Sequence, residues 1–153
     1  MNNNRDFIEK LRSSGLRPTK QRLEICKLLF DRKKTFHFTI SDLFKILKKE
    51  TINKISLATI YNTVHSFKKK GYLKEISIDR EKTYFDTNTS NHHHFLDIST
   101  NELIDLKEDD VDNIKIKKNL PGKKIRSIEV LVKIENNKQI KEIKKLGESI
   151  YLY

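Results

Sequence analysis

The segment Ser56-Leu57-Ala58-Thr59-Ile60-Tyr61-Asn62-Thr63-Val64-His65-Ser66-Phe67-Lys68-Lys69-Lys70-Gly71 does most to limit the folds open to this chain. It carries its own start and stop. Ser56 suits an N-cap, because its hydroxyl can accept from amides of the first helical turn. Three lysines and a glycine suit a helix C-terminus. Between these ends Leu57, Ile60, Val64 and Phe67 recur at helical spacing and form one apolar stripe. The other faces carry Ser56, Thr59, Tyr61, Asn62, Thr63 and Ser66. These are uncharged hydrogen-bonding residues, unlike the Lys and Glu that coat a solvated helix. After Gly71, Tyr72–Ile78 and Thr83–Asp86 read as two strands joined by Asp79-Arg80-Glu81-Lys82. Helices followed by a charged-tip hairpin give the winged helix-turn-helix plan, with the last helix in the major groove and the hairpin on the backbone.

Three helices precede this one. Phe7, Ile8 and Leu11 share a stripe that ends at Ser13-Ser14-Gly15. Pro18-Thr19 opens a second helix, whose run Leu23, Ile25, Cys26, Leu28, Leu29, Phe30 reads as deeply buried and closes at Asp31-Arg32-Lys33-Lys34. Thr39-Ile40-Ser41-Asp42 has a hydroxyl three residues before a carboxylate, a capping-box start. Ile40, Leu43, Phe44 and Leu47 follow at helical spacing.

Charge separates the two halves. Residues 1–88 carry 20 Lys/Arg against 10 Asp/Glu, and residues 89–153 carry 12 against 11. A basic half joined to a near-neutral half fits a polyanion-binding module with a second function attached. The single cysteine, Cys26, permits neither a disulfide framework nor a CxxC zinc site, and it reads as core filler. The start Met1-Asn2-Asn3-Asn4-Arg5 lacks an apolar signal region, and no run of 18 apolar residues occurs. A cytoplasmic protein with no membrane partner is therefore expected.

Thr87–Asn91 is polar and reads as a hinge, which sets a first domain at 1–87, a linker at 88–91 and a second domain at 92–153. His92-His93-His94 then enters a strand. Alternation sends His92 and His94 to one face and His93 to the other. Neutral imidazole is the commonest protein metal ligand, so the triplet is a half-site for a transition metal or a haem iron. His92–Ile98 and Glu102–Leu106 read as strands around Ser99-Thr100-Asn101. Asp109-Asp110 suits the start of a helix carrying Val111, Ile114 and Leu120, stopped by Pro121-Gly122. Ile125–Ile134 alternates as a strand, and the tail from Gln139 reads as a short helix. So small a second domain has little core of its own, and we expect it to form a homodimer. The fold class expected is α+β: an N-terminal winged helix-turn-helix domain followed by a small α/β dimerisation domain.

Leu16-Arg17-Pro18-Thr19-Lys20-Gln21-Arg22, Ser56-Leu57-Ala58-Thr59-Ile60-Tyr61-Asn62 and the histidine cluster before a strand resemble the ferric uptake regulator family over roughly residues 7–132. Asp86-Thr87-Asn88 leading into the histidines, with no CxxC pair, is most similar to the iron-response regulator branch. The resemblance implies a regulatory site of His37, Asp86, His92, His94 and Asp105. It implies as cofactor haem, a divalent transition metal (Fe, Mn or Zn), or both. The family's structural zinc cysteines fall here at Asp97 and Thr100, so a structural zinc held by four cysteines is not expected. A further metal-site histidine of some members falls at Arg126, and Cys26 is followed by Lys27 where some branch members have a glycine-cysteine-proline haem motif.

Three imidazoles and two carboxylates suit Fe, Mn, Zn or Co. For haem, the candidate ligands are His92, His93 and His94, with His93 either an axial ligand or simply exposed. His65 reads as a surface or backbone-contacting residue. On DNA, Tyr61 can meet a thymine methyl and Asn62 can pair bidentately with adenine. Ser56 and Thr59 can reach phosphates or base edges, and Arg17 and Lys20 hold the backbone or a minor groove. The expected function is a dimeric regulator of iron or haem homeostasis, not an enzyme, that binds a double-stranded DNA operator under control of haem or metal. A peroxide-sensing, metal-dependent repressor of the same family is the alternative. A zinc hydrolase is remote, since three histidines can activate water but HExxH and a nucleophile elbow are missing.

Overall fold

The computed structural model describes residues 4–50, 54–79, 82–112, 114–118 and 120–136. The chain divides into two compact units, Met1–Ser90 and Asn91–Tyr153.

The N-terminal unit begins with helices α1 (Asn4–Ser13) and α2 (Lys20–Phe30). A two-residue strand β1 (His37–Phe38) follows, then α3 (Ile40–Glu50) and α4 (Leu57–Lys70). Strands β2 (Lys74–Ser77) and β3 (Thr83–Asp86) form the wing. The caps read from the sequence are made. Thr39 Oγ1 accepts from the Asp42 amide at 3.1 Å and an Asp42 carboxylate oxygen accepts from the Thr39 amide at 3.3 Å, a reciprocal capping box. At the far end of α4, Gly71 sits at φ 84°, and the Tyr72 amide reaches back to the Phe67 carbonyl at 2.9 Å. That left-handed turn is one only glycine enters without strain.

The core of this unit is the junction of the helices with the inner face of the sheet. Leu11, Ile25, Leu29, Leu43, Ile60 and Phe67 are all fully buried in it. The apolar stripe of α4 needs one correction. Leu57 lies in the first turn and is 51% exposed, whereas Thr63 is fully buried. Thr63 is tolerated there because its hydroxyl donates to the Thr59 carbonyl at 2.7 Å. The sheet has the order β1-β3-β2, with both ladders antiparallel. Strand β1 is not legible in the sequence, because two residues ahead of a helix cap carry no readable period.

The C-terminal unit is a three-stranded sheet of order β5-β4-β6. Strands β4 (His93–Asp97) and β5 (Glu102–Leu106) pair antiparallel, and β6 (Leu131–Ile134) runs parallel to β4. Leu96, Leu103 and Leu106 are its buried apolar side chains among the described residues. Two expectations change here. The helix predicted from Asp109 is a three-residue 3-10 turn, Glu108–Asp110, and the described residues beyond it are not helical. Ile114 and Leu120, assigned to its apolar stripe, are exposed, so among the described residues of the unit the stripe has no surface to cover it. The predicted strand Ile125–Ile134 shrinks to its last four residues, because the ladder on β4 starts at the His94 amide bond to the Val130 carbonyl. The tail from Gln139 lies outside the described residues, as does the wing tip Arg80-Glu81.

No helix of the described residues is long and apolar enough to cross a membrane. Burial pushes the Cys26 thiol up to about 12, only partly offset by the nearby Lys10 ammonium. The reactive species is the thiolate. Iodoacetamide at neutral pH should therefore leave the native protein unlabelled and modify Cys26 only after unfolding, as followed by intact mass.

Candidate metal ligands and nucleic-acid face

Two antiparallel registers place an imidazole opposite a carboxylate. In the N-terminal unit, β1 and β3 pair His37 with Asp86. His37 Nε2 lies 3.3 Å from Asp86 Oδ2, and the Asp86 side chain is wholly buried. The other carboxylate oxygen accepts from the Asn88 amide at 2.7 Å. A buried carboxylate is costly unless it is hydrogen-bonded or paired, and here both conditions are met. The turn after β3 thus fixes the carboxylate and aims Oδ2 at the imidazole.

In the C-terminal unit, β4 and β5 pair His94 with Asp105. His92, just ahead of β4, shares the face of His94, as alternation predicts, and both are buried. Their rings lie 4.4 Å apart. Asp105 Oδ1 stands 3.2 Å from His92 Nε2 and 3.8 Å from His94 Nε2. Each of these three residues offers a donor atom within 4.8 Å of the other two. Two imidazole nitrogens and a carboxylate oxygen, facing one another and largely shielded from solvent, form a donor set that fits a first-row divalent ion.

His93 faces the other way, as expected. Its Nδ1 accepts from the Val130 amide at 3.2 Å, tying β4 to the start of the β6 ladder. In a neutral ring that bond leaves the proton on Nε2. His93 also borders an open groove of about 660 Å³ shared with Asp109, Asp112, Ile114, Ile125 and Ile128.

Asp97 and Thr100 belong to a hydrogen-bonded turn. Asp97 Oδ1 accepts from the amides of Ser99 and Thr100 at 2.7 and 3.2 Å. Ser99 Oγ accepts from the Asn136 amide at 3.1 Å, just past β6. The turn and the segment just past β6 are joined through the Ser99 hydroxyl.

The outward face of α4 carries Tyr61, 53% exposed, and Asn62, also exposed. Ser56 and Thr59 are engaged with each other. Ser56 Oγ accepts from the Thr59 amide at 3.1 Å, and the two hydroxyls are 2.9 Å apart. Their hydroxyls serve the cap, whereas Tyr61 and Asn62 project outward from the helix. Arg17 and Lys20 are exposed beside the start of α2. The Arg17 carbonyl accepts from the Arg22 guanidinium at 2.9 Å. Gln21 Nε2 donates to the Lys54 carbonyl at 2.8 Å, which ties the start of α2 to the segment leading into α4. His65, read from the sequence as a surface or backbone-contacting residue, is half-buried and packed against aromatic neighbours. The readable signal for this was its i+4 spacing from Tyr61.

A model of the ferric uptake regulator family matches residues 13–144. The peroxide-responsive repressor of Staphylococcus saprophyticus is 33% identical over 110 residues, 72% of this chain and 72% of its own length. That of Staphylococcus epidermidis is 32% identical over 110 residues, 72% of this chain and 71% of its own. Among solved structures, the ferric uptake regulator of Vibrio cholerae is similar with a TM-score of 0.63 at 19% identity, over 84% of this chain and 98% of its own. The regulator from Pseudomonas aeruginosa with manganese gives 0.61 at 20% identity, over 86% and 98%. These structures share the fold described above.

The Ser56→Ala variant should lose about 1 kcal/mol of stability through the cap. Thermal unfolding checks this, and an unchanged midpoint would show that the hydroxyl serves something other than the helix start.

Proposed function

Because the chain belongs to the ferric uptake regulator family, whose members are DNA-binding transcription regulators and not enzymes, we propose that it is a dimeric repressor gated by a divalent metal and released by peroxide. The observation that carries the metal reading is the mutually facing donor set of His92, His94 and Asp105. His37 and Asp86, a second imidazole–carboxylate pair with the same cross-strand construction, complete the proposed ligand set. The protein acts in the cytoplasm on a double-stranded DNA operator.

The proposed control follows from where the ligands lie along the chain. His37 and Asp86 belong to the winged-helix unit, and His92, His94 and Asp105 follow the polar segment Thr87–Asn91. An ion that takes donors from both sets restricts that segment and so fixes the spacing of the two α4 helices in a dimer. Half-sites on DNA lie roughly 34–36 Å apart, so a wrong spacing prevents simultaneous docking. Swinging the population from 1:99 to 99:1 requires a preference of about 5.5 kcal/mol for the docking-competent state.

The two staphylococcal relatives named above are peroxide-responsive repressors, which favours peroxide over haem as the signal. A ferrous ion held here would supply the redox chemistry that activates peroxide. In the balanced overall change a ligand imidazole such as His37 would gain one oxygen atom from hydrogen peroxide, and the other oxygen would leave as water. Two features weigh against haem on the histidine triplet. His93, with Nδ1 accepting from Val130, offers no lone pair at Nε2 in its neutral form. The groove beside it carries Asp109 and Asp112, which repel carboxylates such as the haem propionates.

On the DNA side, Asn62 reads a base and Lys20 supplies affinity through phosphate. Asn62→Ala should weaken discrimination at one operator position by about 1–3 kcal/mol. Equal loss on every duplex would assign Asn62 to the backbone instead.

The deciding experiment is DNA binding by purified protein that is metal-free, loaded with Mn(II) or Fe(II), or given haem, at one stated salt concentration. Metal-loaded protein should bind its operator and metal-free protein should not. Peroxide should release the Fe(II) form and leave a product about 16 Da heavier on a ligand histidine, the mass of one added oxygen. A haem-shifted Soret band with haem-dependent release would transfer the signal to haem. Binding indifferent to chelator, metal and haem would defeat the regulatory reading.

A further inference from the structure

We propose that His65 is a positioning residue that sets the sequence specificity of this protein by holding the Tyr61 ring in its reading posture. The inference rests on the regulator reading above and concerns contacts within the winged-helix unit alone. Tyr61 stands out from α4 and is 53% exposed. A side chain so placed has rotamers to lose on binding, and every rotamer that must be frozen at the interface lowers affinity. His65 lies one turn further on, on the same face of the helix. Its ring centroid is 4.1 Å from that of Tyr61, with the planes inclined at 42°. Contact at that distance restricts the Tyr61 ring before any DNA arrives.

His65 is itself anchored. Its ring meets Phe85 of β3 edge-on, at 5.6 Å and 86°. Phe85 is buried and stacks on Phe38 at 5.8 Å. The imidazole is therefore pinned between the reading helix and the sheet. Its far side borders a cavity of about 520 Å³, which is also lined by Thr39, Tyr61, Glu75, Lys82 and Phe85. Tyr61 borders the same space, so without the His65 ring its own ring gains room to turn on that side. The contact with His65 narrows that freedom. An aliphatic side chain at position 65 would give no flat surface against which to fix the tyrosine.

The test selects an operator from a random duplex library with metal-loaded wild-type protein, then measures that operator and an unselected duplex with variants. His65→Ala should lower the operator-to-random affinity ratio roughly 3- to 10-fold, the scale of one newly mobile interface side chain. Its affinity for random duplex should be unchanged. His65→Phe, which keeps a ring, should retain the wild-type ratio. Tyr61→Ala combined with His65→Ala should be no worse than Tyr61→Ala alone. Should His65→Ala unfold, His65→Gln, compared at matched thermal stability, replaces it. Equal loss on both duplexes, or additive losses in the double variant, overturns the positioning role. A wild-type protein that selects no sequence removes the regulator reading and this proposal together. A wild-type protein that selects an operator, with His65→Ala retaining it in full, removes this proposal alone.

Discussion

The proposed metal site depends on one device of β-sheet geometry, the cross-strand pair. An antiparallel ladder fixes which side chains stand opposite each other, and a slip of one residue would turn every side chain to the other face. The device appears twice. It sets His37 against Asp86 in one unit and His94 against Asp105 in the other. In each case an aspartate with few rotamers meets an imidazole at a distance set by the backbone and not by a flexible stem. Alternation along the chain then adds His92 to the second pair. Donors held this way lose little freedom when an ion binds, the kind of preorganisation on which metal sites rely.

The neighbours of these donors fit the same account. Asn88 and Val130 both present backbone amides, one to the Asp86 carboxylate and one to His93. The first bond orients a proposed ligand. The second engages the one histidine of the triplet that the alternation turns away, and fastens β4 to β6 with it. A row of three identical residues is thus divided by the pleat into two proposed ligands and one structural contact. The turn at Asp97 follows the same economy, since a side-chain oxygen satisfies two amides of the hairpin.

The sequence was most readable where a local rule acts alone. Helices α2, α3 and α4 start at the hydroxyls expected, because a cap is a contact within three residues. Among the proposed ligands, His92 and His94 stood out by alternation, whereas His37, Asp86 and Asp105 were pointed to only by the family resemblance. Readability failed where the partner was distant or missing. Strand β1 exists only because β3 lies beside it, and two residues cannot announce a period. The helix drawn from Asp109 had suitable spacing, but the described residues of its unit offer no surface to cover its apolar side. Leu57 fell on the apolar stripe by spacing, yet the first turn of α4 extends beyond the core. The packing of His65 was hidden because it follows from Phe85, on a strand far along the chain.

The central claim is that one ion takes donors from both cross-strand pairs, and pulsed electron paramagnetic resonance of the Mn(II)-loaded protein tests it most directly. Imidazole nitrogens bound to manganese give resolvable couplings, and selective nitrogen-15 labelling of histidine identifies them. His37→Ala and His94→Ala should each remove one imidazole coupling from the spectrum of the same ion. If His94→Ala alters that spectrum while His37→Ala leaves it untouched, the two pairs do not share an ion, and the proposed link between metal and DNA docking is wrong.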